Sequence, residues 1–291
     1  MISVRSAINS SDVNNGSTRV LFVEGEEDSI DCWVLRRLLD IDIKPIGKSS
    51  EIRAASKAFQ KVHPGYYFLV DRDHFAKEEV EKSWSDFKTG KGNLIIWRKK
   101  EIENYFLDPE FLNRSCYIGT NKQQDIQDCL LRYARCQLYL SVVSQVIISV
   151  REELKYKWIK VPHNVSEYPD ESTALKRLLG MKEFQEQGEK SVRVLDKAYL
   201  EERFRYYLSI LKGDATSLEW GKGEWLSLIP GKKILHRIFE SDIFGQIIGK
   251  NNQPLQGKQK WEAIIDDLMK QRDELPSDFK QLQDIISNRI L

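Results

Sequence analysis

Histidine is scarce in this chain, and none of its four copies falls near a cysteine at a ligand spacing. The four cysteines (Cys32, Cys116, Cys129, Cys136) form no CxxC pair, so neither a zinc centre nor a disulfide framework is expected. Cys129 and Cys136, seven apart in a helical pattern, are expected to pack on one helix face. Net charge is almost absent too. Lys and Arg number 45 against 44 Asp and Glu, a balance of +1 that excludes a strongly basic nucleic-acid coat and leaves room for a local basic patch. Long apolar runs are missing: the longest, Leu138 to Val150, is interrupted by Ser141, Ser144, Gln145 and Ser149 and is too short to span a bilayer. There is no signal segment, internal repeat or low-complexity tract. These absences predict a soluble, cytoplasmic protein with no membrane part, whose 291 residues allow one good core and a second domain.

What is present is organised around Val20-Leu21-Phe22-Val23-Glu24-Gly25-Glu26-Glu27-Asp28. Four apolar residues predict a short buried strand, and Gly25 permits a sharp turn. Ile30, Val34 and Leu38 then recur at helical spacing, with Trp33 and Leu39 widening the stripe. Glu24 therefore falls where a strand runs out and Asp28 in the first turn of a helix. Ligands of open α/β sheets bind at that edge, and a strand end needs no acid to fold.

The alternation continues. A second strand is expected over residues 43–46, then a helix capped by Ser49 or Ser50 and stopped at His63-Pro64-Gly65. The apolar run from Tyr66 to Val70 predicts a strand covered on both faces, ending in Asp71-Arg72-Asp73. A helix carrying Val80, Trp84 and Phe87 leads to a fourth strand over 93–97, from which Arg98-Lys99-Lys100-Glu101-Ile102-Glu103 runs off. The fold class expected is α/β: a parallel sheet flanked by helices over residues 18–112, after a loose lead-in at 1–17. An α-helical domain for substrate or partner contact is expected over 113–291, with helices at 123–158, 194–211, 233–239, 260–269 and 278–290 and a surface loop at 161–173.

Three strand ends each deliver two acids: Glu24 with Asp28, Asp71 with Asp73, and Glu101 with Glu103. On an extended segment, residues i and i+2 share a face, so Asp71 and Asp73 converge while Arg72 faces away, and Glu101 and Glu103 do the same. Crowded carboxylates repel, and a divalent cation resolves the conflict. Oxygen ligands without a His or Cys cluster suit Mg²⁺ or Mn²⁺, and two such ions activate water and stabilise a leaving oxygen in phosphodiester cleavage. Blander roles compete. Asp73 could cap a helix beginning near Ala76, Asp28 could serve a helix dipole, and Glu101 and Glu103 could form a solvated run with Lys99 and Lys100. Coincidence at three strand ends favours the metal site. Lys99, Lys100 or Lys232 would offset charge on a scissile phosphate. Gly231-Lys232-Lys233 is no P-loop, because Leu226 stands where glycine is required and no Ser or Thr follows Lys232. His74 is read as a surface residue.

The glutamate of Val23-Glu24-Gly25-Glu26-Glu27-Asp28 and the DxD of Val70-Asp71-Arg72-Asp73 resemble the TOPRIM domain of topoisomerases, bacterial primases and the overcoming-lysogenization-defect (OLD) nucleases. Asp28, Glu101 and Glu103 look like the extra metal ligands of the OLD branch. The segment Glu101-Ile102-Glu103-Asn104-Tyr105-Phe106 and the later Gly231-Lys232 are similar to the effectors of PARIS anti-phage systems. The resemblance implies a Mg²⁺-dependent nuclease acting on nucleic acid, RNA such as tRNA included, and restrained by a partner ATPase. This chain has no Walker motif, so that ATPase would be a separate chain. A primase-like nucleotidyltransferase and a non-catalytic binding module are the alternatives. Trp220, Trp225, Trp261, Phe239, Phe244 and the Leu138 to Val150 stretch add an expectation of a homodimer held by residues after Pro109.

Overall fold

The computed structural model describes residues 19–119, 123–154, 159, 161–187, 192 and 194–289. The expected lead-in at 1–17 and the last residues of the helix expected over 123–158 lie outside them. Strand β1 (Val20–Val23) is buried along its whole length and sits inside a four-stranded parallel sheet. Strand β2 (Asp42–Pro45) flanks it on one side and β3 (Tyr66–Val70) on the other, with β4 (Leu94–Ile96) beyond β3. Both β1 and β3 are buried throughout, which is why they read as unbroken apolar runs.

Helices α1 (Ile30–Leu38), α2 (Ser49–Phe59) and α3 (Lys77–Lys88) connect the strands. Each turns its apolar stripe inward: Val34, Leu35 and Leu38 in α1, Ile52 in α2, and Val80, Trp84 and Phe87 in α3. The buried indole of Trp84 donates to the Ile96 carbonyl at 2.8 Å, so α3 is tied to β4 as well as packed on it. The cap of α2 is Lys48 rather than Ser49 or Ser50, and its N–H donates to the Glu51 side chain.

The chain forms two compact units: residues 120–243 make one, and residues up to 119 together with those from 244 onward make the other. The 120–243 unit is helical. Its centre is α4 (Gln123–Glu153), packed by α5 (Glu171–Leu179), α6 (Lys197–Lys212) and α7 (Gly231–Phe239). Asp170 caps α5 through the Thr173 N–H at 2.9 Å, and Asp196 caps α6 through the Ala198 N–H at 2.7 Å. The expected loop at 161–173 thus gives way to helix at its end. Cys129 is buried and Cys136 exposed, so the two do not share a packed face.

The expected boundary at 112/113, with one helical domain running to 291, is corrected by the chain's return. Helices α8 (Gly257–Met269) and α9 (Ser277–Asn288) belong to the unit that holds the sheet. The contacts give the reason. Phe279 is fully buried against Trp97, Tyr105 and Phe106, with ring centroids 5.7, 5.0 and 6.0 Å away. Asp278 accepts from the Arg98 guanidinium at 2.7 Å and from the Tyr105 hydroxyl at 2.6 Å. Arg289 donates to the carbonyls of Phe87 and Gly92 at 3.2 and 2.8 Å.

Of the aromatics that suggested a second copy, Trp225, Phe239 and Phe244 are buried, and Trp220 and Trp261 are half-buried. The large apolar side chains left exposed, Val62, Val192, Tyr206 and Ile248, are scattered along the sequence. Among the described residues no helix is long and apolar enough to cross a membrane.

The Asp278 junction sets a stability test. Asp278→Ala leaves the buried Tyr105 hydroxyl without its acceptor, while Arg98 keeps Glu81 and Gln281, and the expected loss is about 2 kcal/mol in urea unfolding monitored by tryptophan fluorescence. A loss below about 0.5 kcal/mol would mean that α9 is held without help from the Asp278 junction.

Candidate functional site: an acidic edge of the sheet

Strands β1 and β3 are parallel neighbours in register, Val23 opposite Leu69, so Glu24 follows β1 opposite Val70 and Asp71 follows β3 one residue further on. The chain runs outward from β1 to β2 and then crosses back to β3, and strand order reverses between β1 and β3. That reversal opens the crevice in which open α/β sheets bind ligands. The third strand end joins them: the Trp97 N–H donates to the Val70 carbonyl at 3.0 Å, and the Arg72 N–H to the Lys100 carbonyl at 3.1 Å.

Electrostatics show which acids act as a group. Burial holds the Asp71 carboxyl well above the ordinary carboxylate range, and Asp31, Glu103, Glu101 and Glu24 push it the same way. Burial and then Asp73 raise Glu24, while the backbone N–H groups of Ser49 and Asp71 pull it back. Glu24 Oε2 is buried with no hydrogen-bond partner. An orphaned carboxylate oxygen among like charges fits a cation, and an all-oxygen set fits Mg²⁺ or Mn²⁺. Among the described residues, no three His, Cys, Asp or Glu side chains stand together in ligand geometry.

Five of the six expected metal ligands, Glu24, Asp71, Asp73, Glu101 and Glu103, still lie near enough at this edge for their charges to act on Glu24 or Asp71. Asp28 does not. It is largely exposed and bound to Lys258 Nζ at 2.7 Å, a pairing that lowers its pKa. Gly25, at φ +113°, turns the chain, and Ser29 caps α1 by accepting from the Cys32 N–H. The acid of the first helical turn is then Asp31, which acts on Asp71. The missed signal was the cap: reading Ser29 as the N-cap puts Asp31, not Asp28, on the first turn.

The alternation argument for the other two pairs needs correction. Asp73 has φ 43°, so the backbone is no longer extended there. Arg72 is buried and donates to the Arg98 carbonyl at 2.8 Å. Residues Ile102–Phe106 form a 3-10 turn, closed by Asn104, whose side-chain oxygen accepts from the Glu101 N–H at 3.1 Å. Glu103 and Asn104 are both buried. Nor does Asp73 cap α3, since Ala76 is the N-cap and its N–H donates to Glu79.

The lysines divide. Lys100 Nζ lies 4.0 Å from Asp73 Oδ1 and 3.2 Å from the Asp73 carbonyl. Lys99 faces elsewhere: it donates to the Asn104 carbonyl at 3.1 Å, lies over the Tyr105 ring and lines a separate cavity of ≈ 330 Å³ with Asp108, Arg114 and Asp278. Burial lowers its pKa, and Asp108 and Asp278 partly offset that. Lys232 is exposed on the first turn of α7, in the helical unit. His74 is exposed and stacks on Phe75 at 5.7 Å. The chain matches none of the family models, curated proteins or solved structures with which it was compared.

Because the folded pKa of Asp71 exceeds its unfolded value, the native state binds the proton more tightly, and stability falls as pH rises from the ordinary carboxylate range towards the raised value. Asp71→Asn removes that loss. In EDTA the variant is expected to melt above wild type at pH 7, with the gap closing towards pH 4. Parallel melting curves across that range would rule out the crowding.

Proposed function

We propose that this chain is a Mg²⁺- or Mn²⁺-dependent nuclease of TOPRIM type, hydrolysing phosphodiester bonds in nucleic acid. The observation that carries the reading is the grouping of Glu24 and Asp71, on adjacent strand ends at the reversal of strand order, with four further acids around them. Glu24, Asp71 and Asp73 would hold the principal ion, and Asp31, Glu101 and Glu103 a second ion or its waters. A bound ion supplies positive charge that makes water a nucleophile at neutral pH and neutralises phosphate oxygens.

The chain's own groups do the rest. The backbone N–H groups of Ser49 and Asp71 keep the Glu24 carboxylate oriented, and Asn104 closes the turn that presents Glu103. Lys100, beside Asp73, is the lysine suited to offset charge on a bound phosphate, in place of Lys99 or Lys232. The same proposal includes the regulation that the resemblance implies: an anti-phage effector, with tRNA among its targets, restrained by a partner ATPase.

Cleavage of end-labelled RNA and DNA in Mg²⁺, Mn²⁺ or EDTA tests it. Glu24→Ala, Asp71→Ala and Asp73→Asn are expected to lose activity by on the order of 10²-fold or more while folding normally. Asp31→Asn should show a comparable loss, whereas Asp28→Ala, which breaks only an exposed ion pair, stays within about twofold of wild type. Cleavage that survives EDTA, or that ignores both Glu24→Ala and Asp71→Ala, would sink the reading.

A further inference from the structure

The stretch from residue 43 to 65 holds five cations, Lys44, Lys48, Arg53, Lys57 and Lys61, against one acid, Glu51, in a chain whose net charge is only +1. Two of these six charges are already engaged. Lys44 pairs with Asp42 at 3.7 Å, and Glu51 turns back to accept from the Lys48 N–H at 3.3 Å. Lys48, Arg53, Lys57 and Lys61 are exposed, and no ion pair among the described residues takes them up. Arg53 and Lys57 are four apart on α2, with Lys61 four further on, just past its end. They form one stripe with steps of about 6 Å along the axis. Between Arg53 and Lys61 the other exposed positions are Ala54, Ala58 and Gln60, none of which carries a charge that would repel a phosphate.

This stripe begins at the acids. The first N–H of α2, on Ser49, donates to the Glu24 carboxylate. The Arg53 guanidinium lies over the Phe75 ring, 4.8 Å from its centroid, and the Phe75 N–H donates to the Arg72 carbonyl at 2.8 Å. Arg53 therefore sits over a residue two positions from Asp73. A crevice lined with carboxylates repels a polyanion, so a nucleic acid reaching it needs compensating cations alongside.

We infer that the exposed face of α2, from Lys48 through Arg53 and Lys57 to Lys61, is a track for the phosphate backbone of a nucleic acid entering the acidic edge. The inference rests on the reading of that edge as a phosphodiester site. The contacts it supplies are to phosphates, so it positions the strand without reading its sequence.

The experiment is fluorescence anisotropy of 5′-labelled single-stranded RNA and DNA oligonucleotides over a salt series in EDTA, where no cleavage interferes. The combined variant Arg53→Ala, Lys57→Ala, Lys61→Ala is expected to reduce the slope of log affinity against log salt by about 2–3 for both nucleic acids. Affinity near 100 mM salt should fall about tenfold or more. Mn²⁺ binding by calorimetry should not change, and the tighter of the two probes indicates the substrate. An unchanged slope, an equal loss from Lys82→Ala with Lys88→Ala on α3, or no binding by wild type would each overturn the track. The two readings fail separately: wild-type cleavage with an unaltered slope removes the track alone, whereas the expected slope change without any metal-dependent cleavage removes the nuclease alone.

Discussion

Carboxylates repel one another, and everything around the edge of this sheet is arranged to hold six of them near one another against that repulsion. At an effective dielectric of about 20, two unit charges ~5 Å apart repel by roughly 3 kcal/mol. A few such pairs rival the ~5–15 kcal/mol net stability of a whole domain. Relief comes from a proton or a cation. The raised pKa values of Asp71 and Glu24 show the proton half of that choice. Backbone holds the acids in place meanwhile: Glu24 and Asp71 are fixed by paired strands, and Asp31 by a capped helix.

The third strand end cannot be held that way, because β4 stops at Ile96 and the acids lie in a 3-10 turn beyond it. Its support comes from the far end of the chain. Tyr105 accepts from the N–H groups of Arg98 and Lys99 at 3.2 and 3.3 Å and donates its own hydroxyl hydrogen bond to Asp278 on α9. A residue more than 170 positions away thus sets the path of the segment that carries Glu101 and Glu103. The chain's departure and return are tied together. Ile118 and Phe244 bridge in antiparallel fashion, and the Gly245 N–H donates to the Tyr117 carbonyl at 3.0 Å. Residues 120–243 are therefore inserted through a closed stem, the arrangement that lets a second unit be added without disturbing the first.

The strands were legible because buried parallel strands are continuous apolar runs, and Val20–Val23 and Tyr66–Val70 are nothing else. Helical periodicity served equally well for existence, yet it says nothing about which neighbour a helix packs against, so α8 and α9 could not be assigned to the sheet from their own stripes. Within the site, Glu24 and Asp71 follow directly from paired strands, where the pattern placed them. The reading failed at the turn after Gly25, where Asp28 swings out to Lys258 and Asp31 comes in. It failed again at neighbouring lysines. One residue of offset sends Lys99 to the cavity beside Asp108 and Lys100 to Asp73. Direction after a turn depends on single dihedrals, and pattern alone does not encode them.

Where a chain breaks its own local rules is informative, and here the breaks fall together. Asp73 is one of two non-glycine residues with positive φ among those described, a conformation that costs roughly 1–2 kcal/mol. The other, Asn252, lies in an exposed turn, where asparagine adopts this geometry readily. Asp73 instead follows a buried strand and its charge acts on Glu24, whose orphaned Oε2 adds a desolvation penalty of about 1–3 kcal/mol. Crowding of Asp71 is a third unfavourable term in the same few residues. None of the three helps the sheet to fold, since β1 and β3 pair and bury their side chains before the acids are reached. Strain and unsatisfied charge of this kind persist where a surrounding structure over-determines them, and they gather at sites that act on ligands. The stable sheet and the C-terminal clamp on Tyr105 are what allow this edge to be unstable on its own.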